Sequence, residues 1–247
     1  MVAANAILHN DKIAQARPFL KRMKALGADQ LLVGDTGLIQ IMKDPEYALP
    51  YIYDASVLVT SSSQINFWAK YGAVAAVVAR EVPFVELEVL AQEITIPAWV
   101  QVYGAQCIHQ SGRPLLENYA KYVGKVPTDL SERHLYLSEP DKPDTHYSIF
   151  SDSHGTHVFA NNDVNLMEQL EDLHGIGLDK WYLDGLFAEG DDFVEIVGAF
   201  DKARRLIEAG EWGTEVAADL AAAVEAAHPA QRGLDTGFFL YPADKVK

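Results

Sequence analysis

The stretch Ala73-Val-Ala-Ala-Val-Val-Ala79 decides the fold. Seven consecutive small or branched apolar residues are typical of a β-strand that is buried on both faces, as in a parallel sheet covered by helices. The charged pair Arg80-Glu81 ends this run, and helical periodicity follows around Val85–Ala91. A buried strand followed by a helix predicts a parallel α/β architecture with right-handed crossovers.

The same alternation of strand and helix extends in both directions. It gives about seven strand–helix units, whereas eight close a barrel. We therefore predict an α/β fold, a TIM-barrel-like (β/α) barrel that lacks its first strand–helix unit. No glycine-rich dinucleotide fingerprint or P-loop follows any strand, which disfavours a nucleotide-binding doubly wound sheet. The other predicted strands are Ala3–Leu8, Leu31–Val33, Ala55–Thr60, Trp99–Tyr103, Tyr147–Phe150, Thr156–Ala160 and Trp181–Leu183.

Two long helices are predicted near the carboxyl end, over Phe193–Ala209 and Thr214–Ala227. The alternation is interrupted between Gly124 and Thr145, where Pro, Asp, Ser and Glu are frequent. We interpret this interruption as a hairpin-like excursion at about residues 124–150. The expected organisation is thus one domain over residues 1–247.

Charge is distributed unevenly in this acidic chain, whose formal net charge is −15. Residues 1–140 carry 14 acidic and 12 basic side chains, whereas residues 141–247 carry 21 acidic and 8 basic ones. This excess argues against stand-alone binding of nucleic acid, which needs Lys and Arg to contact phosphates. We interpret the one basic cluster as a solvated helix face; it comprises Lys12, Arg17, Lys21, Arg22 and Lys24.

A single cysteine, Cys107, excludes an intramolecular disulfide and an all-thiolate metal site within this chain. No apolar run approaches the roughly 20 residues that span a bilayer, so we expect no membrane association. The first nine residues lack the basic and apolar regions of a signal peptide. These features predict a cytoplasmic protein.

Polar residues cluster where the predicted strands end, which is the active face of a barrel. Arg80 and Arg113 can each bind a carboxylate or phosphate through two parallel hydrogen bonds. The alternative is that acidic neighbours pair with both arginines, and Asp184 can equally serve a turn. The predicted ligand is a peptide or a small polar anion, and the candidate binding residues are Arg80, Gln101, Ser111, Arg113, Asn161 and Asp184.

The segment after the fifth predicted strand, residues 104–113, is expected to be a polar loop that carries reactive side chains. Cys107 or Ser111 can be a nucleophile with His109 as its base. Alternatively, Cys107 packs under the loop and Ser111 helps to form a turn. Farther along, His154 and His157 lie three residues apart across a turn, where they need not share a face. We therefore predict no metal site.

Several motifs together resemble peptidase family U32, the collagenase-like proteases. The most specific is Gly104-Ala-Gln-Cys107 with Ser111-Gly-Arg113, which comes in order after Arg80-Glu81. The other matching stretches are Gln64-Ile-Asn66, Glu86 with Glu88, Asp152-Ser-His-Gly-Thr-His157, Asp184-Gly185 and Arg232-Gly-Leu-Asp-Thr-Gly237-Phe. The resemblance runs from about Val2 to about Tyr241.

This resemblance implies a barrel-like fold and a peptidase activity, for which Cys107, His109 and Glu86 are the catalytic candidates. Other members resemble accessory enzymes of RNA or ubiquinone hydroxylation, and several bind a four-cysteine iron–sulfur cluster. Only Cys107 matches that cysteine pattern, and Pro114 stands where the next cysteine would fall. We therefore predict no cofactor.

The resemblance leaves two alternatives to a peptidase. One is a component of RNA modification, of the tRNA wobble-uridine hydroxylation type, that acts with a partner subunit. The other is a non-catalytic binding scaffold. Because the predicted barrel is incomplete and unpaired strand edges recruit partners, a homo-oligomer or hetero-oligomer is expected.

Overall fold

The computed structural model describes residues 1–54, 59–124 and 135–245. These residues form two compact units. The first unit comprises residues 1–101, 171–182 and 238–247, and the second comprises residues 102–170 and 183–237.

The first unit is built on a parallel sheet. The strand order is β1-β2-β3-β4-β5, and all four neighbouring pairs are parallel. Its apolar centre contains Ile52, Ala75 and Val77, with Trp99 and Tyr182 packed against them. The prediction of a parallel α/β arrangement is confirmed for these strands, which are β1 (Val2–Ala4), β2 (Leu31–Val33), β3 (Tyr51–Tyr53), β4 (Ala73–Val77) and β5 (Ala98–Gly104).

Helices connect these strands, and polar side chains cap two of them. Asp35 accepts a hydrogen bond from the Leu38 amide, and Ser61 with Gln64 forms a reciprocal capping box. Phe239 is buried and its carbonyl accepts a hydrogen bond from the Phe84 amide. The helices are α1 (Asn10–Ile13), α2 (Ala16–Ala25), α3 (Thr36–Met42), α4 (Ser62–Lys70) and α5 (Phe84–Glu93).

The second unit contains antiparallel pairs. The end of β5 pairs antiparallel with β10 (Asn162–Asn165), which pairs parallel with β12 (Gly233–Asp235). A separate antiparallel sheet has the order β6-β9-β8-β7. Its strands are β6 (Cys107–Ser111), β7 (Tyr136–Glu139), β8 (Lys142–Asp152) and β9 (Gly155–Phe159).

The remaining elements complete the two units. Strand β11 (Lys180–Asp184) pairs with β5. Helices α8 (Gly190–Ala209) and α9 (Thr214–Ala227) pack together. Further α-helices are α6 (Leu115–Tyr122) and α7 (Leu170–Gly175). None of the helices in the described part of the chain is long and apolar enough to cross a membrane.

The structure differs from the sequence predictions of secondary structure at several places. The first strand is Val2–Ala4, whereas the predicted strand runs from Ala3 to Leu8. The third strand is Tyr51–Tyr53; the predicted strand lies at residues 55–60, of which 55–58 are outside the described residues. Residues 107–111 form a strand and not a loop, because β9 supplies hydrogen-bond partners to this polar segment. Residues 162–165 form a strand that the sequence analysis missed. The prediction of a TIM-barrel-like barrel that lacks its first strand–helix unit stays a prediction; among the described residues, β1 pairs with β2 alone.

Candidate functional site

Polar side chains meet at the carboxyl ends of β1, β2 and β3 in the first unit. Asn5 donates a hydrogen bond to Asp54 at 2.8 Å, and the Asp35 carboxylate accepts from the Leu8 amide at 2.8 Å. Asp35 and Asp54 are both buried. A Cβ atom added at Gly34 would lie 2.5 Å from the Asn5 carbonyl oxygen and 2.6 Å from that of Asp54, which is closer than van der Waals contact. The close approach of these main-chain atoms therefore requires glycine at position 34.

Arg80 and Glu81 follow β4 at the same end of the sheet. The Arg80 Nε and one Glu81 carboxylate oxygen are buried, and neither has a hydrogen-bond partner among the described residues. The alternative from the sequence was that an acidic neighbour of Arg80, which means Glu81, Glu86 or Glu88, pairs with it. No such ion pair is present among the residues that the structure describes. Buried polar atoms are normally paired, because leaving one unpaired costs about 1–3 kcal/mol. An anionic group at Arg80 would remove that cost.

Two further predicted residues lie in the first unit. Glu86 is half-buried in the first turn of α5, where a negative charge stabilises the amino end of the helix. The Gln101 side chain is buried in β5 and accepts a hydrogen bond from the Tyr182 hydroxyl at 3.4 Å. The first unit therefore contains three of the nine predicted site residues: Arg80, Glu86 and Gln101.

Cys107, His109, Ser111 and Arg113 lie in the second unit, on β6 and just after it. The Cys107 Sγ donates a hydrogen bond to the His109 carbonyl oxygen at 3.4 Å. Ser111 Oγ accepts from the Arg113 amide at 3.2 Å, which fits the predicted turn. The Arg113 side chain is exposed, and no carboxylate of the described residues pairs with it.

Asn161 and Asp184 both have structural partners in the second unit. Asn161 Oδ1 accepts a hydrogen bond from the His146 amide at 2.7 Å. Asp184 Oδ1 accepts from the Leu186 amide at 2.8 Å, which is the Asx turn that the sequence left open as an alternative. These contacts fix both side chains without excluding a ligand.

The sequence analysis missed a buried ionic network centred on Arg232. Its guanidinium bonds both oxygens of Asp163, at 2.6 to 3.0 Å, and donates to Ser148 Oγ and the Ala160 carbonyl at 2.7 Å. It also lies 4.1 Å from the Phe187 ring centroid. Arg232 and Asp163 are 69 residues apart, so no local pattern connects them.

His228 extends this network. Its Nδ1 lies 2.8 Å from the Tyr103 hydroxyl, and burial raises the pKa of Tyr103, which keeps that hydroxyl protonated as a donor. The other ring nitrogen, Nε2, faces an Asp163 oxygen at 3.9 Å and has no hydrogen-bond partner among the described residues. Burial lowers the pKa of His228 below its ordinary value of 6.5, although Asp163 acts in the opposite direction.

We expect the protein to lose stability in mild acid because of His228. Because the pKa of His228 is lower in the folded protein, the unfolded chain binds the proton first as the pH falls. The stability that neutral His228 contributes is therefore complete above the ordinary histidine pKa and is lost as the pH falls below it. Urea unfolding between about pH 8 and about pH 5 measures this. His228→Gln should flatten the dependence, whereas His9→Gln, at an exposed position, should not. Equal profiles for the two variants would contradict the assignment.

The described residues hold no group of three or more His, Cys, Asp or Glu side chains placed to bind a metal ion. His157 Nε2 instead pairs with Asp152 at 2.9 Å, and the Asp152 carboxylate also accepts from the His154 amide. A four-cysteine iron–sulfur cluster does not fit the single thiol of this chain.

Comparison with known proteins identifies the family. The sequence profile of peptidase family U32 matches residues 1–247. The chain belongs to peptidase family U32. The chain is also similar to "tRNA hydroxylation protein P2" of Bacillus subtilis (strain 168), with 29% identity over 242 residues. That alignment covers 96% of this chain and 78% of the relative.

Two further relatives match more weakly. "tRNA hydroxylation protein P" of Escherichia coli (strain K12) is 21% identical over 230 residues, which cover 74% of this chain and 50% of the relative. "tRNA hydroxylation protein P1" of Bacillus subtilis is 21% identical, with 44% of its length covered. The chain thus spans half or less of these two proteins.

Proposed function

We propose that this U32 chain is a component of a tRNA hydroxylation system and acts with a partner protein. The proposal combines the similarity to proteins named for tRNA hydroxylation with the polar edge of the first unit. The structural observation that carries it is the Arg80 Nε, which is buried without a partner among the described residues. We infer that Arg80 binds the carboxylate or phosphate of a small polar ligand.

The roles of the other residues follow from their positions. In the first unit, Glu81 presents a buried carboxylate oxygen that can accept a hydrogen bond from the same ligand. Gln101, held by Tyr182, offers an amide. The second unit separately contains the exposed Arg113, a cation that can bind an anionic group. A partner protein and RNA would supply the remainder of the site.

A peptidase remains the second candidate, because the family takes its name from that activity. Its candidate residues from the sequence are Cys107 and His109 in the second unit and Glu86 in the first. The Cys107 thiol donates to the main-chain carbonyl of His109, whereas a nucleophilic cysteine reacts as a thiolate activated by a base or positive charge. This contact favours the structural interpretation of Cys107, and the tRNA proposal is therefore preferred.

Deletion of the gene in its own organism tests the tRNA proposal. Mass spectrometry of nucleosides from total tRNA should show the loss of a nucleoside that carries one extra oxygen atom. Wild-type protein should restore it. Arg80→Ala should reduce it at least tenfold, since a charge-assisted hydrogen bond contributes about 1.5–3 kcal/mol.

Three controls make this experiment decisive. Arg113→Ala tests the second cation, and Arg205→Ala, at an exposed position of α8, should restore wild-type hydroxylation. Circular dichroism checks that each variant is folded. Unchanged tRNA nucleosides in the deletion strain would overturn the proposed function. If Arg80→Ala is folded and fully active, the ligand assignment is wrong.

A further inference from the structure

A chain of contacts in the first unit joins basic side chains to exposed aromatic rings. It begins on α2, where Lys24 donates to the carbonyl of Pro45 at 2.9 Å and Lys21 pairs with Glu46 at 2.6 Å. Lys21 also lies 5.7 Å from the ring centroid of Tyr47. The loop after α3 is thereby held against the basic helix.

The same loop leads to the aromatic end of α4. Lys43, directly after α3, lies 4.6 Å from the ring centroid of Tyr71. Tyr71 contacts Phe67 with a centroid distance of 4.7 Å. We call the set Lys21, Lys24, Lys43, Phe67 and Tyr71 the basic–aromatic surface.

The exposed rings of this surface pack against aromatic side chains that lie beneath them. Phe67 and Tyr71 are 48% and 42% exposed, respectively. Trp68 contacts both and stacks on the buried Tyr53 at 4.3 Å with an interplanar angle of 27°. Rings fixed in this way lose little conformational freedom when a further planar group stacks on them, which favours binding.

Charge selects the class of partner. Residues 1–101 carry eight basic and ten acidic side chains, whereas residues 141–247 carry 8 basic and 21 acidic ones. Positive charge in the first unit is concentrated on α2, at Lys43 and at Lys70, the last residue of α4. Within the described residues no carboxylate pairs with Arg22, Lys43 or Lys70. Lysines beside supported rings are the combination that binds single-stranded nucleic acid.

We propose that the basic–aromatic surface docks RNA, with unstacked bases on Phe67 and Tyr71 and phosphates at Lys24 and Lys43. This inference rests on the proposed function and assigns RNA contact to a surface distinct from the Arg80 edge. Helices α2, α3 and α4 all end here, before the strands that follow them begin. The surface therefore lies at the amino ends of the strands, whereas Arg80 follows the carboxyl end of β4. RNA held there leaves the Arg80 edge open to a small ligand.

Fluorescence anisotropy with a fluorescein-labelled, unmodified tRNA transcript tests the docking surface. The acidic excess of the whole chain opposes RNA binding, so the full chain should bind through this local surface at low salt, and its affinity should fall as salt rises, as phosphate contacts require. Phe67→Ala/Tyr71→Ala should weaken binding at least tenfold, because each substitution removes a ring on which a base can stack. Lys24→Gln/Lys43→Gln should weaken binding and reduce the slope of log K against log salt by about 2.

The matched control is Tyr119→Ala/Tyr122→Ala, which removes two exposed rings from α6 in the acidic second unit. This variant should bind tRNA as wild type does, and circular dichroism should show all variants folded. The proposal is overturned if wild-type protein does not bind tRNA at low salt, or if the Phe67/Tyr71 variant binds as well as the control. Loss of self-association or of a protein partner with unchanged tRNA binding would assign the surface to protein docking instead.

The deletion strain separates this inference from the proposed function. If the strain loses tRNA hydroxylation but the Phe67/Tyr71 variant restores it fully and binds tRNA normally, only the docking surface is wrong. If the strain keeps its hydroxylated nucleosides, the proposed function is wrong whatever the binding data show.

Discussion

Replacing Arg232 by Met should lower the free energy of unfolding by about 3–5 kcal/mol. The variant leaves the Asp163 carboxylate with 3% of its side chain exposed and without its cation. It also removes the donors to Ser148 Oγ and to the Ala160 carbonyl. Met keeps an unbranched apolar stem of similar length beside Phe187, so the loss reports mainly on the ionic network. Urea denaturation at neutral pH measures it.

An exposed arginine provides the matched control for this prediction. Arg204 on α8 bonds Asp201 and Glu208 at 2.7 to 2.9 Å, but its side chain is 45% exposed. Because exposed ion pairs are screened by solvent and stabilise a protein little, Arg204→Met should change the free energy of unfolding far less than Arg232→Met does. Comparable losses for Arg204→Met and Arg232→Met would show that burial does not matter here.

A double variant distinguishes an unpaired charge from lost packing. Asp163→Asn/Arg232→Met removes both charges, so neither is left buried alone. Its destabilisation should be smaller than the sum of the two single changes by about 1–3 kcal/mol, the coupling typical of contacting residues. Strict additivity would contradict the interpretation of Arg232 and Asp163 as one ionic unit.

Local sequence patterns predict the helices and strands whose formation is determined by their own residues. The predicted strand Leu31–Val33 and helix Thr214–Ala227 have the observed bounds, because apolar runs and helical periodicity are properties of the segment itself. The predicted strand at Trp99–Tyr103 is one residue shorter at each end than β5. Such segments carry their own signal.

Strands that depend on partners are not predictable in this way. Residues 162–165 read Asn-Asp-Val-Asn, a composition with low strand propensity, and they form β10 because β5 and β12 pair with them. Strand β6 is similarly polar and depends on β9. In both cases hydrogen-bond partners distant in sequence override local propensity.

The candidate site divides along the same lines. Arg80 could be selected from the sequence, since a charged residue after a buried apolar run lies at a strand end. Arg232 could not be assigned a role, because its partners Asp163 and Ser148 are 69 and 84 residues away. The sequence analysis also missed the basic–aromatic surface. Aromatic residues such as Phe67 and Tyr71 usually belong to the buried face of a helix, and the sequence does not show that these two are exposed.

Gly104→Ala should strongly destabilise the protein although it adds a single methyl group. Gly104 ends β5 with φ of +104°, a conformation that residues with a side chain rarely adopt. A Cβ there would lie 1.9 Å from the Asp184 carbonyl oxygen and 2.8 Å from its carbon. These are main-chain atoms, so no change of rotamer relieves the overlap. We expect a loss of about 3 kcal/mol or more in unfolding free energy, or failure to accumulate as folded protein.

Gly112→Ala is the matched control, because, apart from its two chain neighbours, no described residue has an atom within 4 Å of the Cβ that it would add. Both glycines belong to the segment from Gly104 to Arg113 that carries the family resemblance, yet only Gly104 is confined by close main-chain approach. Pulse proteolysis in urea compares the two even if Gly104→Ala is recovered in small amounts. Stabilities within about 1 kcal/mol of each other would show that the β5 end tolerates a side chain. A large difference would show that glycine is required at position 104 because the end of β5 lies against the Asp184 main chain. The close approach of Gly104 and Asp184 then holds the ends of β5 and β11 together in the second unit.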